Sequence, residues 1–315
     1  MIFGSNLFFN LYIEEIQQKR KGNDSMKIPS IFEEKKKEGK PVLSFEIFPP
    51  KKEEALKNID ATLDMLCDLH PDFISVTFGA GGSSRDNKTV EIARKIKENY
   101  KIEPLVHITC LQYDKEEISE ILKQLEAAGI ENVLALRGDV NPNFPMKHDF
   151  KYASELTTFI KSKGDFSISG GCYPETHLEA PDAVTDIRNL KKKVDAGADH
   201  LISQLFFHNE VFYDFYEKTR IAGIDVPVDA GVMPVTNKAQ VERMVNTCGA
   251  SLPHKFERIL HKYEDNKAAL FDAGMAYTIN QIVDLIAHDV DGVHIYTMNN
   301  TTVAKRICDG IRNLV

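Results

Sequence analysis

Glu46 stands inside an apolar run. In Val42-Leu43-Ser44-Phe45-Glu46-Ile47-Phe48-Pro49-Pro50 it has branched and aromatic neighbours, and two prolines end the segment. A carboxylate there is costly unless it is paired or protonated, and a protonated carboxyl can serve as a general acid. The competing reading is a structural carboxylate in an ion pair. Other reactive side chains stand within or just beyond further apolar runs: Thr77; His107 and Thr109; Arg137-Gly138-Asp139; Tyr173, Glu175 and His177; Gln204; and Tyr296-Thr297-Met298-Asn299. One polar residue on one strand is ordinary, whereas a set on most strands points to a shared site. Arg137 can pair with Asp139 or bind phosphate. Asp186 and Lys193 are two helical turns apart on one face, either solvated or reaching towards a bound group. Cys172 with His177 is suggestive of a metal, but no further ligand has suitable spacing, so none is expected.

The elements that must position these residues alternate regularly. A charged helix over Ile31–Gly39 precedes the Glu46 strand, and a helical stretch from about Glu53 to Leu69 follows it. Further strands are expected at Phe73–Phe78, Pro104–Cys110, Asn132–Leu136, Phe166–Tyr173, His200–Phe207, Val226–Met233 and Gly292–Met298. The intervening helices are Thr89–Tyr100, Lys115–Ala128, Tyr152–Gly164, Ala183–Ala196 and Glu210–Ala222, then helical segments through 237–287, and finally Thr302–Val315. Gly79–Ser84 reads as a flexible loop, and a Pro/Asn-rich loop follows Asp139. Eight strand-then-helix units imply a parallel sheet closed as a single-domain (β/α)8 TIM barrel over residues 26–315. The runner-up is a doubly wound sheet, but no Gly-x-Gly-x-x-Gly follows the first strand. In a barrel, active sites lie at the C-terminal ends of the strands, where the reactive residues fall.

Composition narrows the class. The 315 residues carry a net charge of −8, so a nucleic-acid partner with its need for a basic face is not expected. The five cysteines show no CxxC spacing, which suits reduced thiols in a cytoplasmic protein. No apolar run reaches the length of a membrane span. Residues 1–25 are apolar and then basic, the reverse of a signal peptide, and read as an extension outside the core.

The ordered motifs Ser44-Phe45-Glu46-Ile47-Phe48-Pro49-Pro50-Lys51, Ser75-Val76-Thr77-Phe78-Gly79-Ala80, His107-Ile108-Thr109-Cys110, Leu136-Arg137-Gly138-Asp139, Tyr173-Pro174-Glu175-x-His177, Gln204-Leu205-Phe206-Phe207 and Tyr296-Thr297-Met298-Asn299 resemble those of the methylenetetrahydrofolate reductases. The likeness runs through residues 40–310 and is to the short bacterial form. It implies an FAD-bearing barrel of one-carbon and methionine metabolism. That enzyme would reduce 5,10-methylenetetrahydrofolate to 5-methyltetrahydrofolate with NADH or NADPH, by ping-pong hydride transfer. By resemblance, Glu46 is the general acid that opens the imidazolidine ring and Asp139 is the carboxylate favouring the cationic intermediate. Thr77, Phe78, Ala80, His107, Arg137, Gly138, Asp139, Tyr152, Ala153, Tyr173, His177, Asp186, Asn189, Lys192 and Lys193 would hold FAD. Glu46, Thr77, Asp139, Gln204, Gln240, Met244 and Tyr296 would meet the folate substrate. The resemblance also implies a small-molecule substrate and a homo-oligomer. Three positions depart from the family's usual residues: Met244 where phenylalanine is frequent, Asn300 where arginine is frequent, and Phe78 where tyrosine also occurs. Two rival readings remain, an FAD-bearing subunit that takes electrons from a partner protein and a non-flavin lyase on the same barrel.

Overall fold

Residues 26–50, 59–78, 88–140 and 146–315 are described by the structure, a computed structural model. The expected extension over residues 1–25, the start of the helix expected from Glu53, the Gly79–Ser84 loop with Ala80, and most of the Pro/Asn-rich loop lie outside those residues. Eight parallel strands close in sequence order into a barrel: β1 Val42–Ile47, β2 Phe73–Val76, β3 Glu103–Thr109, β4 Asn132–Leu136, β5 Ser167–Cys172, β6 His200–Ser203, β7 Val228–Val232 and β8 Gly292–Tyr296. β1 closes the ring on β8, with Ser44 beside His294 and Glu46 beside Tyr296.

Helices cover the outside: α1 Ile28–Glu38, α2 Ile59–Cys67, α3 Lys88–Tyr100, α4 Lys115–Ala127, α5 Ala153–Lys161, α6 Ala183–Asp195 and α7 Asn209–Ile221, with α8 Lys238–Cys248, α9 His254–Tyr263 and α10 Lys267–Ala287 between β7 and β8, and α11 Thr301–Ile311 last. Alternation along each strand sorts the side chains. Phe45 and Ile47 of β1 belong to the main core between strands and helices, while Ser44 and Glu46 turn into the lumen.

The lower lumen is dry. Val42, Phe73, Leu105, Leu134 and Ile202 meet there, sealed from below by Ile28, Ile31 and Phe32 of α1. This helix starts before the expected Ile31 because Pro29 is tolerated in a first turn, and it ends where Gly39 takes the left-handed conformation at φ 67°. Its Ile28 N–H donates to the Asn132 side chain at 3.0 Å, tying the seal to β4. The strand expected to continue to Phe207 stops at Ser203. Beyond it the chain turns to α10, where Gln281 Nε2 donates to the Phe206 carbonyl at 2.9 Å and Tyr277 OH to that of Phe207 at 2.8 Å.

Candidate active site

At the C-terminal ends of the strands lies a cavity of about 1180 Å³. That exceeds the volume usual for a small-molecule site, so a large ligand or two ligands in contact can be held. The cavity brings together Glu46, Thr77, Phe78, His107, Arg137, Gly138, Asp139, Tyr152, Ala153, Tyr173, His177, Asp186, Asn189, Lys192, Lys193, Gln204, Met244 and Tyr296. Two expected members are not placed on it. Ala80 lies outside the described residues. Gln240 is buried in α8 and does not line the cavity; its Oε1 accepts from Thr236 Oγ1 at 2.7 Å and its Nε2 faces Met233 Sδ at 3.5 Å. Glu175 also turns away, accepting from the Ser251 N–H at 2.8 Å. Asn300 caps α11 through the Val303 N–H at 3.1 Å.

The wall formed by β4, β5 and α6 is basic. Lys193 reaches inward from α6, and its Nζ donates to the Gly171 carbonyl. Burial pushes its ammonium down from the ordinary lysine value. A Cβ at Gly170 would stand 2.6 Å from Lys193 Cδ, so a larger residue there would push the lysine stem aside. Arg137 does not pair with the Asp139 carboxylate. Its fork is bound instead by Glu179, with Nη2 donating to Oε1 at 2.8 Å, and that bond raises the guanidinium further. Asp186 accepts the His177 N–H at 2.9 Å, so it orders the loop after β5, where His177 packs edge-on to Tyr173 at 4.5 Å. The first turn of α5 also faces the cavity through Tyr152, Ala153 and Ser154, and a helix N-terminus favours anions.

The floor is different. Glu46 is nearly four-fifths buried, with Oε2 3.6 Å from His107 Nε2 and 3.8 Å from His294 Nε2. The apolar neighbours in its sequence face the other way, and its surroundings in space are polar. Burial pushes His107 down to about 4, outweighing the opposite pull of Glu46, so its imidazole is neutral at ordinary pH. The His107 contact is therefore not a strong ion pair. Tyr296 donates its hydroxyl to the Ser203 carbonyl at 2.7 Å, and burial keeps its phenol well above the ordinary tyrosine value. Thr297 Oγ1 donates to the Glu46 carbonyl at 2.6 Å and holds the strand end.

Below Glu46 runs a buried polar string that the sequence reading did not single out. Ser44 Oγ lies 2.7 Å from His294 Nδ1 and donates to Asp229 Oδ2 at 3.2 Å. Asp229 stands 3.4 Å from His200 Nε2, and His200 Nδ1 is 2.8 Å from Ser169 Oγ. All five residues have no solvent exposure. Strand parity was the available signal: Ser44 and Glu46 are two apart, as are His294 and Tyr296, and so share one face.

These features define a class: a (β/α)8 barrel with its site at the strand C-termini, a carboxylate floor and a basic wall suited to a large anionic ligand. A family model described as Methylenetetrahydrofolate reductase matches residues 31–312. The 5,10-methylenetetrahydrofolate reductase of Escherichia coli is 34% identical over 266 residues, covering 84% of this chain and 89% of that one. Methylenetetrahydrofolate reductase (NADH) 1 of Arabidopsis thaliana is 35% identical over 288 residues, 87% of this chain but 48% of its own, so the chain spans about half of that relative. The chain belongs to the methylenetetrahydrofolate reductase family. Among solved structures, an uncharacterized protein from Clostridium thermocellum, titled as binding two copies of 5-methyl-5,6,7,8-tetrahydrofolic acid, overlays with a TM-score of 0.66 at 16% identity, covering 90% of this chain and 98% of that one. At that identity the overlay speaks for the fold alone.

Proposed function

We propose that the protein reduces 5,10-methylenetetrahydrofolate to 5-methyltetrahydrofolate, with FAD as cofactor and NADH or NADPH as electron donor. The observation that carries this reading is one cavity with a basic wall and a carboxyl floor, in a chain of this family.

The cavity suits FAD in size and in donor set. Lys193, Lys192 and the first turn of α5 face it and would supply the positive charge that a pyrophosphate needs. The buried Nε2 of His107 has no hydrogen-bond partner among the described residues and can meet a polar ligand atom. Arg137 is available only to an anion that competes with Glu179. When bound, FAD supplies the hydride transfer between nicotinamide and folate.

The remaining roles fall to side chains. Glu46 delivers a proton to N10 of the folate, opening the imidazolidine ring to a 5-iminium cation. Asp139, exposed at the mouth beyond β4, lends that cation a negative charge. Gln204 presents a side-chain amide beside it, and Met244 gives an adaptable apolar wall.

Anaerobic stopped-flow reduction by each nicotinamide, then reoxidation with methylenetetrahydrofolate, tests the reading. In Glu46→Gln, flavin reduction should persist while folate reduction collapses. Equal loss in both steps would refute the acid role, and a protein that takes up no flavin would refute the whole assignment.

A further inference from the structure

The string below Glu46 has a direction. A serine hydroxyl has one proton to give. Ser44 gives its proton to Asp229 Oδ2, so its oxygen is left to accept from His294 Nδ1, 2.7 Å away. The imidazole then carries its proton on Nδ1, and Nε2 is a bare acceptor. That acceptor faces Glu46 Oε2 at 3.8 Å, with the Ser75 hydroxyl at 3.4 Å from the same nitrogen.

The direction starts at Asp229. Its carboxyl is wholly buried, and a buried carboxylate needs a counter-charge or donors. Ser44 gives it a hydrogen bond at 3.2 Å, and His200 stands beside it on β6. His200 Nε2 lies 3.4 Å from Asp229 Oδ2 without a hydrogen bond, and its Nδ1 is 2.8 Å from Ser169 Oγ. The second oxygen of Asp229 has no hydrogen-bond partner, and it occupies space that only glycine leaves free: a Cβ on residue 292 would stand 2.0 Å from it. Phe32 of α1 packs on His200 at 4.9 Å and excludes water from below. Of the other titratable groups, the Cys172 thiol on β5 feels Asp229, and Glu46 is faced by His107 on β3 and by His294 and Tyr296 on β8.

We propose that Asp229, through Ser44, is a positioning residue that fixes His294 as the Nδ1–H tautomer and thereby disfavours an ionised Glu46 carboxylate. At 3.8 Å the two groups stand beyond hydrogen-bond length, but an ionised carboxylate there is repelled by the Nε2 lone pair and a protonated one is not. The role in turnover rests on Glu46 being the general acid, but the tautomer does not. Without the Asp229 charge the string can reverse: Ser44 donates to Nδ1, Nε2 carries the proton, and that N–H favours ionised Glu46.

Isotope-labelled histidine NMR on the full chain bound to FAD, assigned at His294 with His294→Gln, reads the tautomer directly. Nδ1–H is expected in the native protein, and Nε2–H there overturns the proposal without any variant. Asp229→Asn, nearly isosteric, should move the proton to Nε2. It should also shift the alkaline limb of the folate half-reaction about one pH unit lower, about 1.4 kcal/mol between the two protonation states of Glu46. Flavin reduction should keep its pH profile. A folded Asp229→Asn with the native tautomer and profile overturns the proposal. Should that variant not fold, Ser44→Ala decides, because it cuts the link and keeps the buried pair. A mixed tautomer and a lower limb support the proposal, and native behaviour overturns it. If Glu46→Gln slows both half-reactions equally while His294 stays Nδ1–H, the acid role falls and the tautomer assignment stands.

Discussion

The wall built by β4, β5 and α6 and the floor built by β1, β3, β6, β7 and β8 both hold titratable side chains, but water treats them differently. On the wall, Arg137 binds a largely exposed Glu179, and Lys192 is solvated. Such groups attract an anion from a distance, are screened by salt, and tolerate imprecision. On the floor, Asp229, His200 and His294 have no exposure, so each proton must be placed by a neighbour. One cavity thus combines capture by charge with chemistry set by hydrogen-bond direction.

Substitutions on the floor should therefore be costlier than those on the wall. The largest effect is expected for Glu46→Gln, where losing the proton donor should slow the folate half-reaction by roughly 10²–10⁴-fold. Next comes His107. Its folded value of about 4 lies below the ordinary 6.5, so the unfolded chain takes up the proton first as pH falls. Its contribution is fully present above pH 6.5 and is lost as pH drops towards 4, on the order of 3 kcal/mol in all. Denaturant unfolding of the native chain and His107→Gln across that range should show a weaker acid dependence in the variant.

Lys193→Met keeps the stem and removes the charge and the donor to Gly171. Retention of FAD, followed by equilibrium dialysis, should weaken by roughly 10-fold, about 1.4 kcal/mol. The smallest effect belongs to Glu179→Ala. An exposed pair is worth only ~0.2–1 kcal/mol, so unfolding should barely change. Freeing Arg137 should instead make FAD binding tighter at low salt and more salt-dependent. If Glu179→Ala proved as damaging as His107→Gln, the contrast between wall and floor would be wrong.

Much of this was legible in the sequence. The eight strand–helix units followed from alternating apolar runs and their glycine and proline stops. Glu46 and Arg137 stood out because charge interrupts or follows a run, and Lys193 because it falls two helical turns from Asp186 on one face. What could not be read was register. Nothing local says that Asp229 of β7 meets Ser44 of β1, because 185 residues separate them and only ring closure unites them. For the same reason Glu46 looked apolar in sequence and is polar in space. Gln240 is a different case. It was placed from its resemblance, and the helix turns it towards Met233 and Thr236 instead.

α1 gives the barrel the topology of a cup. With Ile28, Ile31 and Phe32 closing the base, the described structure leads from the buried Asp229–His200 pair to the cavity through Ser44 and His294. A proton entering or leaving that pair along this path crosses the site of reaction, so the pair should equilibrate with solvent more slowly when the cavity is filled. The helix at the opposite end of the barrel from the cavity would then set how slowly those buried groups exchange protons with solvent.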